Sequence, residues 1–198
     1  MLERISPVIK NILIINVIVF IVQNFYEAQG VDLTDYGALW GFQSGNFKVW
    51  QLVTHMFMHG NFMHIFFNMY ALYMFGIRLE YSLDSKRFLQ LYLISGLVAG
   101  SLQMLISPYV PSIGASGAVM GVLAAFAYLF PNTQLIIFPI FIPIKAKYAV
   151  AAMVAIDLFS GIAGRPEDNV AHWAHLGGAA AGFAIVWYWN KTNRKRFY

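Results

Sequence analysis

The chain has 198 residues, of which 59% are hydrophobic and only 11% charged, with a mean hydropathy of +0.60 and no cysteine. A soluble domain carries about 25% charged residues, so this composition describes a chain that faces lipid, and it excludes disulfides and thiolate metal centres. The net charge of +4 is no argument for a nucleic-acid partner, because the basic residues cluster in loops and tails, where membrane topology explains them.

Six apolar segments follow in chain order: Pro7–Tyr26, His59–Leu79, Phe88–Ile106, Ser116–Phe130, Tyr148–Gly164 and His172–Asn190. Most approach the ~20 residues that a spanning helix needs. The expectation is an all-α membrane protein, a six-transmembrane-helix bundle forming one domain over residues 1–198. The first segment has Lys10 before its apolar run but no small-residue cleavage site after it, so it reads as a retained span rather than a leader. With the N-terminus inside, every Lys and Arg except Lys48 and Arg165 falls on the cytoplasmic side. The positive-inside rule then puts both termini in the cytoplasm of a multi-pass protein of the cell (plasma or inner) membrane.

The loops carry information too. The longest external loop, Glu27 to Met58, holds Trp40, Phe42, Phe47 and Trp50, an aromatic density suited to the headgroup region. The apolar stretch Leu135–Ile144 is flanked and interrupted by Pro131, Pro139 and Pro143. Prolines argue against a span, and an interfacial cytoplasmic connector fits. Before the fourth segment, residues 107–114 contain Pro108 and Pro111 and make no regular helix.

From Ser116 to Phe130 is about 22 Å of helix at 1.5 Å per residue, against a hydrocarbon core about 30 Å thick. The fourth helix therefore starts inside the membrane, with Ser116 at the floor of an outward-open water cavity. There the free N–H groups and the helix dipole favour a developing oxyanion. The bland alternative is that Gly114-Ala115-Ser116-Gly117 is a packing motif. The sixth segment presents His175 with Gly178 and Gly182 on one face, able to approach the small residues around Ser116 and to serve as its base. His64 and Asn68, four apart on the second segment, can donate to an oxyanion, although Asn68 could equally tie two helices together. His55 and His59 order the external loop, and His172 is an interfacial residue at the helix mouth. Asp157 could orient His175, line the cavity or bond a neighbouring helix. Glu80 with Arg78 forms an ion pair or caps a turn.

These residues resemble the rhomboid family of intramembrane serine proteases. The resemblance is carried by His59, by His64 with Asn68, by Gly114-Ala115-Ser116-Gly117 and by Ala174-His175 with Gly178, in that order along the chain. It implies a Ser116–His175 dyad without an acidic third member, and an oxyanion hole from the Ser116 N–H, His64 and Asn68. It also implies an external Trp40–Trp50 loop in the outer leaflet, and lateral entry gated by the fifth helix and the segment after Gly164. The implied activity is serine endopeptidase cleavage of transmembrane protein substrates within the lipid bilayer, with no cofactor and no metal. Two departures are visible. Gln51 follows Trp50 where the family carries an arginine that bonds the loop internally, and Ile77 follows Gly76 where an arginine is common. Two rival readings are a histidine-based metal enzyme or metal transporter, which lacks a His-Glu-x-x-His arrangement, and an inactive relative that escorts membrane segments.

Overall fold

The computed structural model describes residues 6–137, 140–164 and 170–192. Pro139 and the basic residues Arg4, Arg165, Arg194, Lys195 and Arg196, which entered the topology argument, lie outside them, as does most of the segment after Gly164. Helix α1 spans Pro7–Glu27, with proline at its first position, where a missing N–H costs nothing. Its outward face leaves Ile14, Ile18, Ile21 and Phe25 exposed, as a lipid-facing stripe does. The loop after α1 folds as two short helices, α2 (Thr34–Gly37) and α3 (Gln51–Thr54), the second running into a 3₁₀ turn at His55–Phe57. Residues 62–83 form one continuous helical rod: α4 (Phe62–Ala71), a π-helical stretch (Leu72–Gly76) and α5 (Ile77–Leu83). Then come α6 (Ser85–Ile106), α7 (Ser116–Leu129), α8 (Ala146–Ala163) and α9 (His172–Thr192). Helices α1, α6 and α8 are long and apolar enough to cross a membrane, and α7 is a shorter apolar helix.

The centre of the bundle is α7, where every residue from Gly117 to Phe126 is buried. Helices α6 and α9 close on it through small residues. A Cβ added at Gly178 would collide with the Gly117 carbonyl oxygen, and one at Gly182 with that of Gly121. A Cβ at Gly117 would collide with Ala99, and one at Gly121 with Ser95. Backbone therefore lies on backbone along the α7–α9 seam, the packing mode small residues permit. Farther along, Asn190 Nδ2 donates to Tyr128 Oη at 3.2 Å.

One expectation is corrected and one alternative is decided. The connector expected at Leu135–Ile144 is a β-hairpin, so the chain is not all-α: β1 (Gln134–Ile137) pairs antiparallel with β2 (Ile140–Lys145), with Gln134 opposite Lys145 and an irregularity between Leu135 and Ile137. Isoleucine density drives this, since β-branched side chains suit a pleated surface. Of the two roles open to Glu80, an ion pair with Arg78 or a turn cap, the cap is the one observed among the described residues. Its carboxylate accepts from Ser6 Oγ (2.5 Å), the Val8 and Ile9 N–H groups (3.1 and 2.9 Å) and Ser85 Oγ (2.6 Å). It caps the start of α1 from the neighbouring α5 and bonds Ser85 across the turn into α6, while the Arg78 guanidinium lies 4.2 Å over the Phe130 ring.

Candidate active site

Residues 107–115 carry no regular helix, and two contacts pin them. Leu39 and Ser112 exchange both backbone hydrogen bonds (2.9 and 3.0 Å), and the Gly114 N–H donates to the His55 carbonyl at 2.8 Å. Gly114 has φ +124, a conformation open to glycine and strained for other residues. The chain then enters α7 at Ser116, whose own N–H is among the four that a helix leaves unpaired. Ser116 is half-buried, and its hydroxyl has no hydrogen-bond partner among the described residues. A cavity of about 10 Å³, near the threshold for one water molecule, is lined by His55, Ser112, Gly114, Ser116 and Ala174.

His64 stands across from this turn, its Nε2 the nearest atom to the Cβ position of Gly114. Its Nδ1 accepts from the Gly60 N–H at 3.5 Å, which leaves the proton on Nε2, facing the serine turn. The His59 ring packs edge-on against His64 with centroids 4.9 Å apart. Gln23 of α1 brackets the His59 backbone, accepting from its N–H (3.1 Å) and donating to its carbonyl (3.4 Å). Asn68 is buried and donates to the His64 carbonyl at 3.0 Å; its amide nitrogen has a second proton to give. His55 orders the loop as expected: its Nδ1 bonds the Gln51 carbonyl at 2.7 Å, and burial pushes its imidazole down to about 4.

His175 occupies the first turn of α9. Gln103 of α6, which sequence reasoning missed, accepts from the Ala174 N–H at 3.2 Å and so caps this helix start from outside. The Ala174 carbonyl borders Gly117, so Ser116 and His175 each adjoin a residue of the same α7–α9 contact, with no hydrogen bond between them. Asp157, whose role the sequence left open, is brought to His175: its Oδ1 meets His175 Nδ1 at 3.0 Å and His172 Nδ1 at 2.6 Å. An imidazole that donates from Nδ1 keeps its lone pair on Nε2. His172 thus joins this cluster rather than standing as a lone interfacial residue. Spacing could have hinted at it, since positions 172 and 175 share a helix face; the partner on another helix could not be read.

Gln51 bonds the loop between α1 and α4 internally. It is 1% exposed. Its Oε1 accepts from the Trp40 and Lys48 N–H groups (3.3 and 3.0 Å), and its Nε2 donates to the Tyr36 and Asn46 carbonyls (3.4 and 3.2 Å).

A rhomboid-domain family model matches residues 46–192, and the chain belongs to the rhomboid family. Among its relatives, Rhomboid-like protease 3 of Toxoplasma gondii is 29% identical over 90% of this chain and 66% of its own length. The mitochondrial Rhomboid protein 1 of Saccharomyces cerevisiae is 38% identical over 73% of this chain and 43% of its own. The mitochondrial presenilin-associated rhomboid-like protein of Rattus norvegicus is 35% identical over 67% and 35%. The chain therefore spans about two thirds of the first relative and less than half of the other two. Family membership and the apolar helices make it a membrane protein and support an intramembrane-protease-like function.

Proposed function

We propose that the chain is an intramembrane serine endopeptidase that hydrolyses peptide bonds in or near transmembrane segments of other membrane proteins. Ser116 Oγ attacks the scissile carbonyl as its proton passes to His175 Nε2. The C–N bond breaks as His175 gives that proton to the leaving amine, and water then cleaves the acyl-serine by the same route. The Ser116 N–H, His64 Nε2–H and Asn68 Nδ2–H receive the oxyanion. Asp157 is a positioning residue that holds the His175 Nδ1–H. The carrying observation is the engagement of His175 Nδ1 by Asp157 (3.0 Å) on a helix packed backbone-to-backbone against the one that Ser116 begins.

The bundle is read as six spans with α7 starting inside the membrane, both termini cytoplasmic and the aromatic loop in the outer leaflet. This rests on the charge distribution, the 14-residue length of α7 and the exposed Phe42 and Trp50. A helical substrate must unwind to expose its carbonyl, so segments weakened by Gly or Pro, with a small residue at the cut, are preferred. The test uses purified chain and a model transmembrane substrate in liposomes. Ser116→Ala and His175→Ala abolish cleavage, and fluorophosphonate labelling of Ser116 disappears in His175→Ala; cleavage by Ser116→Ala would sink the proposal.

A further inference from the structure

The proposed hydrolysis uses Asp157 and His175 but has no task for His172, although its Nδ1 points at the same carboxylate oxygen. The two nitrogens stand 2.6 and 3.0 Å from Asp157 Oδ1, and the three ligand-type atoms all lie within 4.8 Å of one another. Two imidazoles and one carboxylate, with a fourth position left for water, form a donor set that zinc binds in proteins. The fold delivers them from two helices: His172 and His175 one turn apart at the start of α9, and Asp157 from α8. The side chains keep 12 to 17% of their exposure, so the trio is sheltered but not sealed.

We propose that Asp157, His172 and His175 bind a divalent metal ion of the zinc class, and that binding switches the protease off. The switch follows from imidazole chemistry and rests on the assignment of His175 as base. A neutral imidazole carries one proton. A metal that takes the Nδ1 lone pair leaves that proton on Nε2. His175 then presents an N–H to Ser116 in place of a lone pair, and nothing accepts the hydroxyl proton. The Nδ1–H bond is exchanged for an Nε2–H bond, the proton passing through solvent, and no electron is transferred, so removing the ion restores the base. The metal is an inhibitor here, and activity survives chelators.

The test uses the full chain in detergent, stripped with EDTA and titrated with zinc chloride. Bound zinc is measured by competition with a chromogenic indicator, and cleavage of a model transmembrane substrate is followed in parallel. Wild type and Ser116→Ala are expected to bind one zinc ion per chain. Wild-type cleavage falls as zinc is added and returns with EDTA. His172→Gln, normalised to its own zinc-free rate, should need at least the ~10–100-fold more zinc that losing even an outer-shell partner costs a metal site. Asp157→Asn should weaken zinc binding comparably, which covers the case of a misfolded His172 variant. Wild type that binds no zinc, or His172→Gln inhibited at the wild-type zinc concentration, overturns the site. Zinc bound by a chain that cleaves nothing even in EDTA would overturn the protease assignment and the switch while leaving the site in place.

Discussion

Replacing Gln51 by Met tests how the loop between α1 and α4 is held. The two side chains have similar length and volume, so packing is preserved and the loss is one of hydrogen bonding. Four backbone bonds disappear together. The Tyr36 carbonyl keeps a donor in Trp50 Nε1 (3.2 Å). The Trp40 and Lys48 N–H groups and the Asn46 carbonyl have no second partner among the described residues. An orphaned buried polar group costs about 1–3 kcal/mol. Lys48 and Asn46 are exposed enough to recruit water, which places the expected loss near the low end, at about 2–4 kcal/mol in all. Reversible unfolding in detergent, followed by tryptophan fluorescence, reads this out, because Trp40 and Trp50 both report on the loop. Gln51→Arg supplies donors alone, so it should keep the two carbonyls satisfied, strand the two N–H groups and fall between wild type and Gln51→Met. A Gln51→Met chain within ~0.5 kcal/mol of wild type, the range of ordinary surface changes, would refute the reasoning.

Four further outcomes follow from the same geometry. Gly178→Ala forces the α7–α9 seam apart at the Gly117 carbonyl; it should cost about 1–3 kcal/mol of stability and, by separating serine from imidazole, lower kcat ~100-fold, and an unchanged kcat in a folded variant would contradict the seam's role. Asp157→Asn should lower kcat by at least ~100-fold with KM held, because an amide N–H facing Nδ1 favours the wrong tautomer; wild-type kinetics would show that Asp157 does not position the base. Glu80→Gln loses charge-assisted bonds worth about 1.5–3 kcal/mol each, so the start of α1 should become open to proteolysis, and unchanged digestion would count against the cap. Burial depresses His55 from 6.5 to about 4, so the unfolded chain takes up the proton first. Its contribution is complete above pH 6.5 and fades as pH falls toward 4, by about 3 kcal/mol in all; His55→Gln should show a correspondingly shallower acid destabilisation, and parallel curves would exclude it.

The helical segments were legible because each leaves a local trace, an apolar run bounded by prolines, glycines or charges. Ser116 was legible as the first residue of α7 for the same reason: Pro108, Pro111 and Gly114 break the chain just before it. What escaped depends on pairs far apart in sequence. Asp157 reaches His175 only because α8 turns that face toward α9, and an 18-residue separation carries no periodic signal. Glu80 was left between an ion pair and a turn cap for a related reason. Arg78 is two residues away and thus an obvious partner, whereas the groups that it caps are 71 to 74 positions distant. The β-hairpin was hidden by its prolines, which correctly excluded a span but also masked a strand preference in the isoleucines around them.

The glycine seam also limits how this chain can change in length. Side-chain contacts can be repacked after an insertion, but main-chain contacts between Gly117 and Gly178, and between Gly121 and Gly182, have no rotamers to adjust. One residue added between Ser116 and Gly121, or between His175 and Gly182, would turn everything on one side of it by about 100° and move one glycine of each pair out of register. Both stretches are therefore closed to insertion and deletion. Changes of length are expected to be tolerated only in the loops and at the helix ends beyond Tyr128 and Asn190.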